Sequence, residues 1–495
     1  MFPFDNSYSR LPDRFFARVR PTPVREPRLV KLNAALAAEL GLDAPALSTP
    51  DGAEIFAGNR IPEGGEPLAL GYAGHQFGSF VPQLGDGRAV LLGEVVNKAG
   101  LRRDIQLKGA GRTPYSRGGD GRAALGPVLR EYVLSEAMAA LGIPTTRALA
   151  AVTTGEPVAR DGPLPGAVFT RVAASHIRIG TFQLLAARRD REGLATLASY
   201  ALARHYPDAV GSGNDALALL ERVIDAQASL VARWLGVGFV HGVMNTDNTT
   251  VSGETIDYGP CAFLDEYDPD KTFSSIDRGG RYAFANQPRI MMWNLSRLAE
   301  ALLPLVAEGE EEGVRLARER LERFVPAFEA AHGAVVRAKL GLGDRPDEAE
   351  TDGVLATDLY TRLAGEGVDF TLFFRRLCAC AADAAADTKA ADLFANPMVF
   401  HEWAERWRAR LGREGVAPAV RAAAMRAVNP AFIPRNHRVE EIIVAAVARG
   451  DFGPFETLLD VVSRPYDDRV DRPELARYAD PPKDEERVIE TFCGT

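Results

Sequence analysis

Cysteine is scarce in this chain. Cys261, Cys378, Cys380 and Cys493 are the only four among 495 residues, too few for a disulfide-stapled scaffold. Histidine is also sparse: the seven present show no HExxH or paired Cys/His spacing, so a zinc site is not expected. Positive charge is not in excess. The 58 Lys and Arg against 67 Asp and Glu leave a net charge of −9, which argues against a nucleic-acid partner. No uninterrupted apolar run reaches the roughly 18 residues of a membrane span, so no membrane partner is expected. Residues 1–29 carry Asp5, Asp13 and Glu26 where a secretory signal would need an apolar core. A P-loop GxxxxGK[ST] is missing, as are internal repeats and low-complexity tracts. What is present is 46% apolar and 25% charged, the mix of a soluble globular protein. A cytoplasmic enzyme of roughly two to four folding units is expected.

The organisation changes along the chain. The first 60 residues are rich in Pro and Arg and irregular, with one short helical pattern around Lys31 to Leu40. Residues 89–96 (AVLLGEVV) read as a strand, 97–100 (NKAG) as a turn, and 103–108 (RDIQLK) as a second strand. In that second strand Ile105 and Leu107 face one way, and Asp104, Gln106 and Lys108 the other. Residues 123–141 place Leu125, Val128, Leu129, Tyr132 and Val133 on one helical stripe, ended by Gly142 and Pro144. Residues 167–172 (AVFTRV) read as a further strand, and from about Thr181 onward the chain is mostly helical. The charged stretches 308–312 and 345–352 read as solvated joints. A strand-rich first half and a helix-rich second half suggest two lobes, with the chemically interesting residues where they meet.

Four clusters carry that chemistry. Gly71 to Gly78 (GYAGHQFG) and then Gly85-Asp86-Gly87-Arg88 would let the backbone approach phosphates, with an arginine to pair with them, although ordinary turns read the same way. Lys108 lies on the polar face of its strand. The following helix offers Glu131 and Glu136, about 140° apart, so at most one faces the lysine, and the sequence does not choose between them. His241 to Asn248 (HGVMNTDN) and Ile256-Asp257-Tyr258-Gly259 bring an amide and carboxylates into short loops. Hard oxygens of this kind suit magnesium, and a carboxylate left over could accept a proton from an attacking hydroxyl. These two segments read as a hairpin carrying its polar groups to one end; the simpler alternative is turn capping. Arg171 and Arg178 add local positive charge, which a triphosphate needs.

Together the segments GYAGHQFGSFVPQLGDGR, DIQLKGAGRTPYSRGGDGRA, FTRVAASHIRIGTFQ, HGVMNTDN, IDYGPCAFLDEYDP and NPAFIPRNHRVEEI resemble the selenoprotein O family. The resemblance implies an α+β, protein-kinase-like bilobal fold, of the kind also called a pseudokinase fold. It would comprise an N-terminal extension (1–60), a strand-rich N-lobe (61–180), a helical C-lobe with the metal site (181–345) and a helical C-terminal region (346–495). The implied activity is protein adenylylation: AMP passes from ATP to Ser, Thr or Tyr hydroxyls of protein substrates and pyrophosphate leaves. UMP transfer with Mn2+ and a catalytically silent ATP-binding scaffold are the alternatives.

Carried over to this chain, the family pattern makes Lys108 the phosphate-binding lysine, with Glu131 its helix partner. Gly85, Gly87, Arg88, Asp120, Gly121, Arg171, Arg178 and Asp257 would contact the nucleotide, which in this family is thought to bind flipped, with its γ-phosphate deep. Asn248 and Asp257 would hold Mg2+ (or Mn2+), and Asp247 would be the catalytic base. Asp257-Tyr258-Gly259 stands where ordinary kinases have Asp-Phe-Gly, but Asp247 and Asn248 adjoin here, whereas the kinase pair is separated. Cys493 stands where selenium-containing members place selenocysteine, and a tail thiol there could serve redox regulation or engage a partner. In some bacterial relatives it pairs with a cysteine after the Asp-Tyr-Gly loop. Residues 268–278 of this chain have none, so that pairing is not expected. Cys378 and Cys380 are expected in a helical core.

Overall fold

The computed structural model describes residues 2–160 and 162–491; Cys493 lies outside them. The chain is α+β. Its first third builds an eight-stranded sheet in which every pairing is antiparallel. In chain order the strands are β1 (Phe16–Arg18), β2 (Arg28–Leu32), β3 (Leu68–Leu70), β4 (Gly74–Gln76), β5 (Ser79–Val81), β6 (Ala89–Val96), β7 (Arg102–Lys108), β8 (Ala123–Ala124), β9 (Arg147–Ala159), β10 (Pro163–Ala173), β11 (Phe239–Val240) and β12 (Ala262–Phe263). The sheet runs β1-β3-β6-β7-β10-β9-β2, with β8 on β10; β4-β5 and β11-β12 are separate two-stranded pairs. β1 and β2 come from the first 60 residues, so that segment is woven into the sheet.

The expected hairpin is β6–β7. Its turn closes on the Asn97 side chain, whose Oδ1 accepts from the backbone N–H of Ala99 (3.0 Å) and Leu101 (2.9 Å). β7 lies between β6 and β10, so both its edges are paired, and the alternation in its sequence separates two buried environments. Ile105 and Leu107 enter an apolar core with Leu36, Phe56, Val90 and Val168. Asp104 and Gln106 are buried on the other face. Buried polar groups need partners: Asp104 accepts from the His176 N–H (2.9 Å) and from Arg204 (2.5 Å), and Gln106 finds its partners in the site described below.

The helix Leu125–Ala140 packs behind the sheet, and Gly142 at φ +76° follows its last residues as a left-handed stop. Its apolar stripe (Val128, Leu129, Tyr132, Val133) meets Val439, Ile442, Phe455 and Leu458 of the helices Asn436–Arg449 and Gly453–Val462. The chain's last third thus returns to brace this helix. The helices Asp215–Val237 and Gln287–Val306 centre the largest core, and Phe373, Trp403 and Trp407 anchor another. Cys378 and Cys380 are buried in the latter, as expected of core cysteines. The stretch 345–352 is only in part a solvated joint: Asp352 is buried against Arg410 at 2.7 Å. Among the described residues no helix is long and apolar enough to cross a membrane.

Candidate active site

Between the sheet and the helical part lies a cleft of about 890 Å3. Gly85, Gly87, Arg88, Lys108, Asp120, Gly121, Glu131, Arg171, Arg178, Asp247, Asn248 and Asp257 all line it. Residues dispersed over more than 170 positions of sequence therefore share one cavity.

The register of the sheet explains part of this convergence. Phe169 pairs with Lys108, and Arg171 with Gln106, so Arg171 emerges beside Gln106 on the polar face of β7. Lys108 Nζ donates to Glu131 Oε2 at 2.7 Å and to Asp257 Oδ1 at 2.8 Å. Arg171 donates to Asp257 Oδ1 at 2.6 Å, to Glu131 Oε1 at 3.3 Å and to Gln106 Oε1 at 2.7 Å. Arg178 donates to Asp257 Oδ2 at 2.7 Å and to the Asp247 carbonyl at 2.6 Å. The choice between the two helix glutamates is thereby resolved: Glu131 faces Lys108, while Glu136 pairs with Arg147 at 2.8 Å and accepts from the Ala148 N–H.

Asp257 is therefore held by three cations. Burial alone would raise its carboxyl, but Lys108, Arg171 and Arg178 outweigh that and keep it well below the usual carboxylate range. Its backbone is left-handed at φ +63°, a region Asp and Asn tolerate better than most residues.

Asp247 and Asn248 sit in the single turn Thr246–Asn248. The expected hairpin is smaller than its sequence suggested: β11 and β12 flank the whole 241–261 loop instead of running between the two polar segments. His241 ties the halves of the loop together, its Nε2 donating to the Ile256 carbonyl at 2.9 Å. Asp247 Oδ2 accepts from Gln76 Nε2 at 3.0 Å, and Oδ1 is buried with no hydrogen-bond partner among the described residues. Burial pushes the Asp247 carboxyl up to about 6, against the hydrogen bond from Gln76. Asn248 donates its amide N–H to the Val243 carbonyl at 3.0 Å, which turns its carbonyl oxygen into the ligand-capable atom.

The glycine clusters act differently from one another. At Gly85 (φ +88°) the ring of Tyr115 lies where a side chain would be: an added Cβ would come within 2.4 Å of it. The close approach made by Gly74 is to Asp247, whose Oδ1 would be 2.5 Å from an added Cβ. Gly87 and Gly121 line the cleft beside Arg88, and Asp120 lies at its exposed rim, paired with Arg160 at 2.9 Å. Among the described residues the Arg88 guanidinium has no hydrogen-bond or ion-pair partner.

Sequence reasoning passed over three supporting residues. Asp86 accepts from Gln106 Nε2 at 2.9 Å and from the Leu70 N–H at 3.2 Å, and Gln106 then passes its other end to Arg171. Tyr72 lies under the Arg178 guanidinium at 4.7 Å. Gln106 was visible on the same strand face as Lys108; Asp86 and Tyr72 sit inside the quoted motifs, but nothing in a linear pattern marks them as partners.

A profile of the family described as "Protein adenylyltransferase SelO" matches residues 2–463. This chain belongs to that family. It is 62% identical, over all of its own length and 99% of the relative's, to a protein of Methylorubrum populi named "Protein nucleotidyltransferase YdiU". A protein of the same name from Bradyrhizobium sp. (strain ORS 278) is likewise 62% identical with the same coverage.

The donor set also fits a divalent cation. Among the described residues no three His, Cys, Asp or Glu side chains gather as a self-sufficient metal cage. Asn248 and Asp257 offer two hard oxygens in one cleft. That is the sparse protein contribution expected where phosphates and water supply the remaining magnesium ligands.

Proposed function

We propose that the chain is a protein adenylyltransferase that moves AMP from ATP to Ser, Thr or Tyr hydroxyls of other proteins. The reading is carried by one observation: Lys108, Arg171 and Arg178 converge on Asp257 at the floor of a cleft that Asp247 also lines. Three fixed cations suit the most highly charged end of a triphosphate, which supports a nucleotide seated with its γ-phosphate deep and its α-phosphate towards Asp247. Gly85, Gly87, Arg88, Asp120 and Gly121 would receive the remainder of the nucleotide. Family membership and the nucleotidyltransferase names of the relatives support the same class of reaction.

In this reading the acceptor hydroxyl attacks the α-phosphorus while Asp247 takes its proton. A carboxylate with its pKa raised to about 6 is a better base than an ordinary aspartate yet still ionised at neutral pH. The bond from the α-phosphorus to the bridging oxygen breaks, and pyrophosphate leaves against Lys108, Arg171 and Arg178. Glu131 is a positioning residue that holds Lys108. Asn248 and Asp257 would hold Mg2+, or Mn2+ in its place, which when bound supplies further charge neutralisation at the phosphates. The architecture proposed is kinase-like, with a sheet lobe (61–180), a helical lobe (181–345) and a bracing helical region (346–495).

Parallel incubations of the protein and an acceptor with α-labelled and γ-labelled ATP test this. AMP transfer predicts acceptor label from the α position only. Label retained from the γ position alone would make the chain a phosphoryl-transferring kinase.

A further inference from the structure

β4 and β5 form a short hairpin whose inner face holds Asp247 through Gln76. Alternation along β4 turns the neighbouring His75 to the opposite face. There it meets Phe80, its cross-strand partner, at 5.0 Å between rings, and Trp293 of the Gln287–Val306 helix at 5.3 Å. Two arginines flank that tryptophan: Arg281 lies 4.7 Å from its ring centre and Arg297 5.1 Å. Arg297 is paired with Glu300 at 2.5 Å, but Arg281 has no carboxylate partner among the described residues, and its buried Nε has no hydrogen-bond partner. Phe80 is 43% exposed, so a cationic and aromatic surface stands open beside the cleft.

The surface is wired to the loop that carries Asp247. Tyr282, adjacent to Arg281, donates its hydroxyl to Asn245 Oδ1 at 2.6 Å, and the Phe77 N–H donates to the same oxygen at 3.1 Å. Charge is locally inverted as well. Residues 271–300 hold five Lys and Arg but only two Asp and Glu, in a chain whose net charge is −9. Of those two acids, Asp277 is spent on the backbone N–H groups of Arg281 and Tyr282, and Glu300 on Arg297.

We infer that this surface, centred on Arg281, Trp293 and Phe80, docks the acceptor protein through an acidic segment within a few residues of the hydroxyl to be modified. An unpaired guanidinium stacked on an indole is preorganised to receive a carboxylate. The exposed Phe80 ring supplies apolar contact to the same segment. The assignment rests on the transfer reading above, but it concerns binding and is tested by binding.

The test uses two fluorescein-labelled 11-residue peptides with a central Tyr, one flanked by Glu and its twin by Lys, titrated with the full-length protein in fluorescence anisotropy without nucleotide. Wild type should bind the Glu peptide at least about tenfold more tightly, an advantage that shrinks with salt. Arg281→Glu should abolish or reverse the preference, and Arg281→Gln should reduce it while keeping a planar polar group on Trp293. Phe80→Ala should weaken both peptides alike. Equal binding of the twins by wild type, or a preference untouched in a folded Arg281→Gln variant, overturns the inference. Either result leaves the transfer reading to its own assay, and a failed label assay would not alter these affinities.

Discussion

Asp257→Asn is the most informative single change, because in the unliganded protein Asp257 is the hub of a charge cluster. Lys108, Arg171 and Arg178 all donate to it; among the described residues Glu131 shares Lys108 and Arg171, and Asp86 lies 3.8 Å from Arg178. The asparagine keeps an acceptor oxygen and tolerates the left-handed backbone at φ +63°. It deletes only the charge. Lys108 and Arg171 would then share Glu131, and Arg178 would keep the more distant Asp86 at 3.8 Å. Breaking a buried ion pair from one side costs about 3–5 kcal/mol, and the lower end applies here, since the Asp257 side chain is 19% exposed. Its carboxyl is depressed well below the usual range, so its contribution is complete at neutral pH and is lost only in acid. The comparison therefore belongs at pH 7. Asp257→Asn should lose about 3 kcal/mol in denaturant titration. Tripolyphosphate without metal should stabilise the variant more than wild type, because it supplies the missing negative charge without competing with Asp257. The variant should nonetheless transfer no AMP with Mg2+. A variant as stable as wild type and no more responsive to tripolyphosphate would refute the cluster's role as a phosphate seat.

Other changes test separate links. Asp247→Asn should cut kcat by about 10²–10⁴-fold, the usual worth of a general base, with ATP affinity little altered; full activity would remove Asp247 from the reaction. Gly74→Ala forces a methyl to within 2.5 Å of Asp247 Oδ1, so kcat should fall while circular dichroism stays native, and an unchanged kcat would show that the position of Asp247 is not critical. Lys339 is buried over the rings of Phe370 and Phe374, and burial pulls its ammonium down to about 7. The unfolded chain keeps that proton to about pH 10.4 and so binds more protons between these values, which makes stability rise by about 2 kcal/mol from pH 7 to 9. Lys339→Met should remove that rise, as read by urea titrations at both pH values; a difference between the two proteins that does not vary with pH contradicts it.

Much of the fold was legible because local signals were strong. The β6–β7 hairpin has an Asn-Lys-Ala-Gly turn between alternating runs, and the Leu125–Ala140 helix has a clean stripe and a glycine stop. The depth of β7 was not legible. Alternation marked Asp104, Gln106 and Lys108 as one polar face, but it could not show that Asp104 and Gln106 are buried or that their partners come from distant segments, Arg204 and His176 for the first and Asp86 and Arg171 for the second. The choice of Glu131 over Glu136 was hidden for the same reason: it depends on Arg147, which satisfies Glu136 from the following strand. Gly74 shows the limit of reading glycines as phosphate cradles, since its missing side chain makes room for Asp247. β1 and β2 escaped notice because strands of three and five residues among prolines carry little periodicity.

The decisive measurement is the intact mass of an acceptor protein after incubation with this chain, ATP and Mg2+. One or more added AMP units with wild type, and none with Asp257→Ala, is the predicted result. Phosphate-sized additions, or AMP additions that persist in Asp257→Ala, would contradict it.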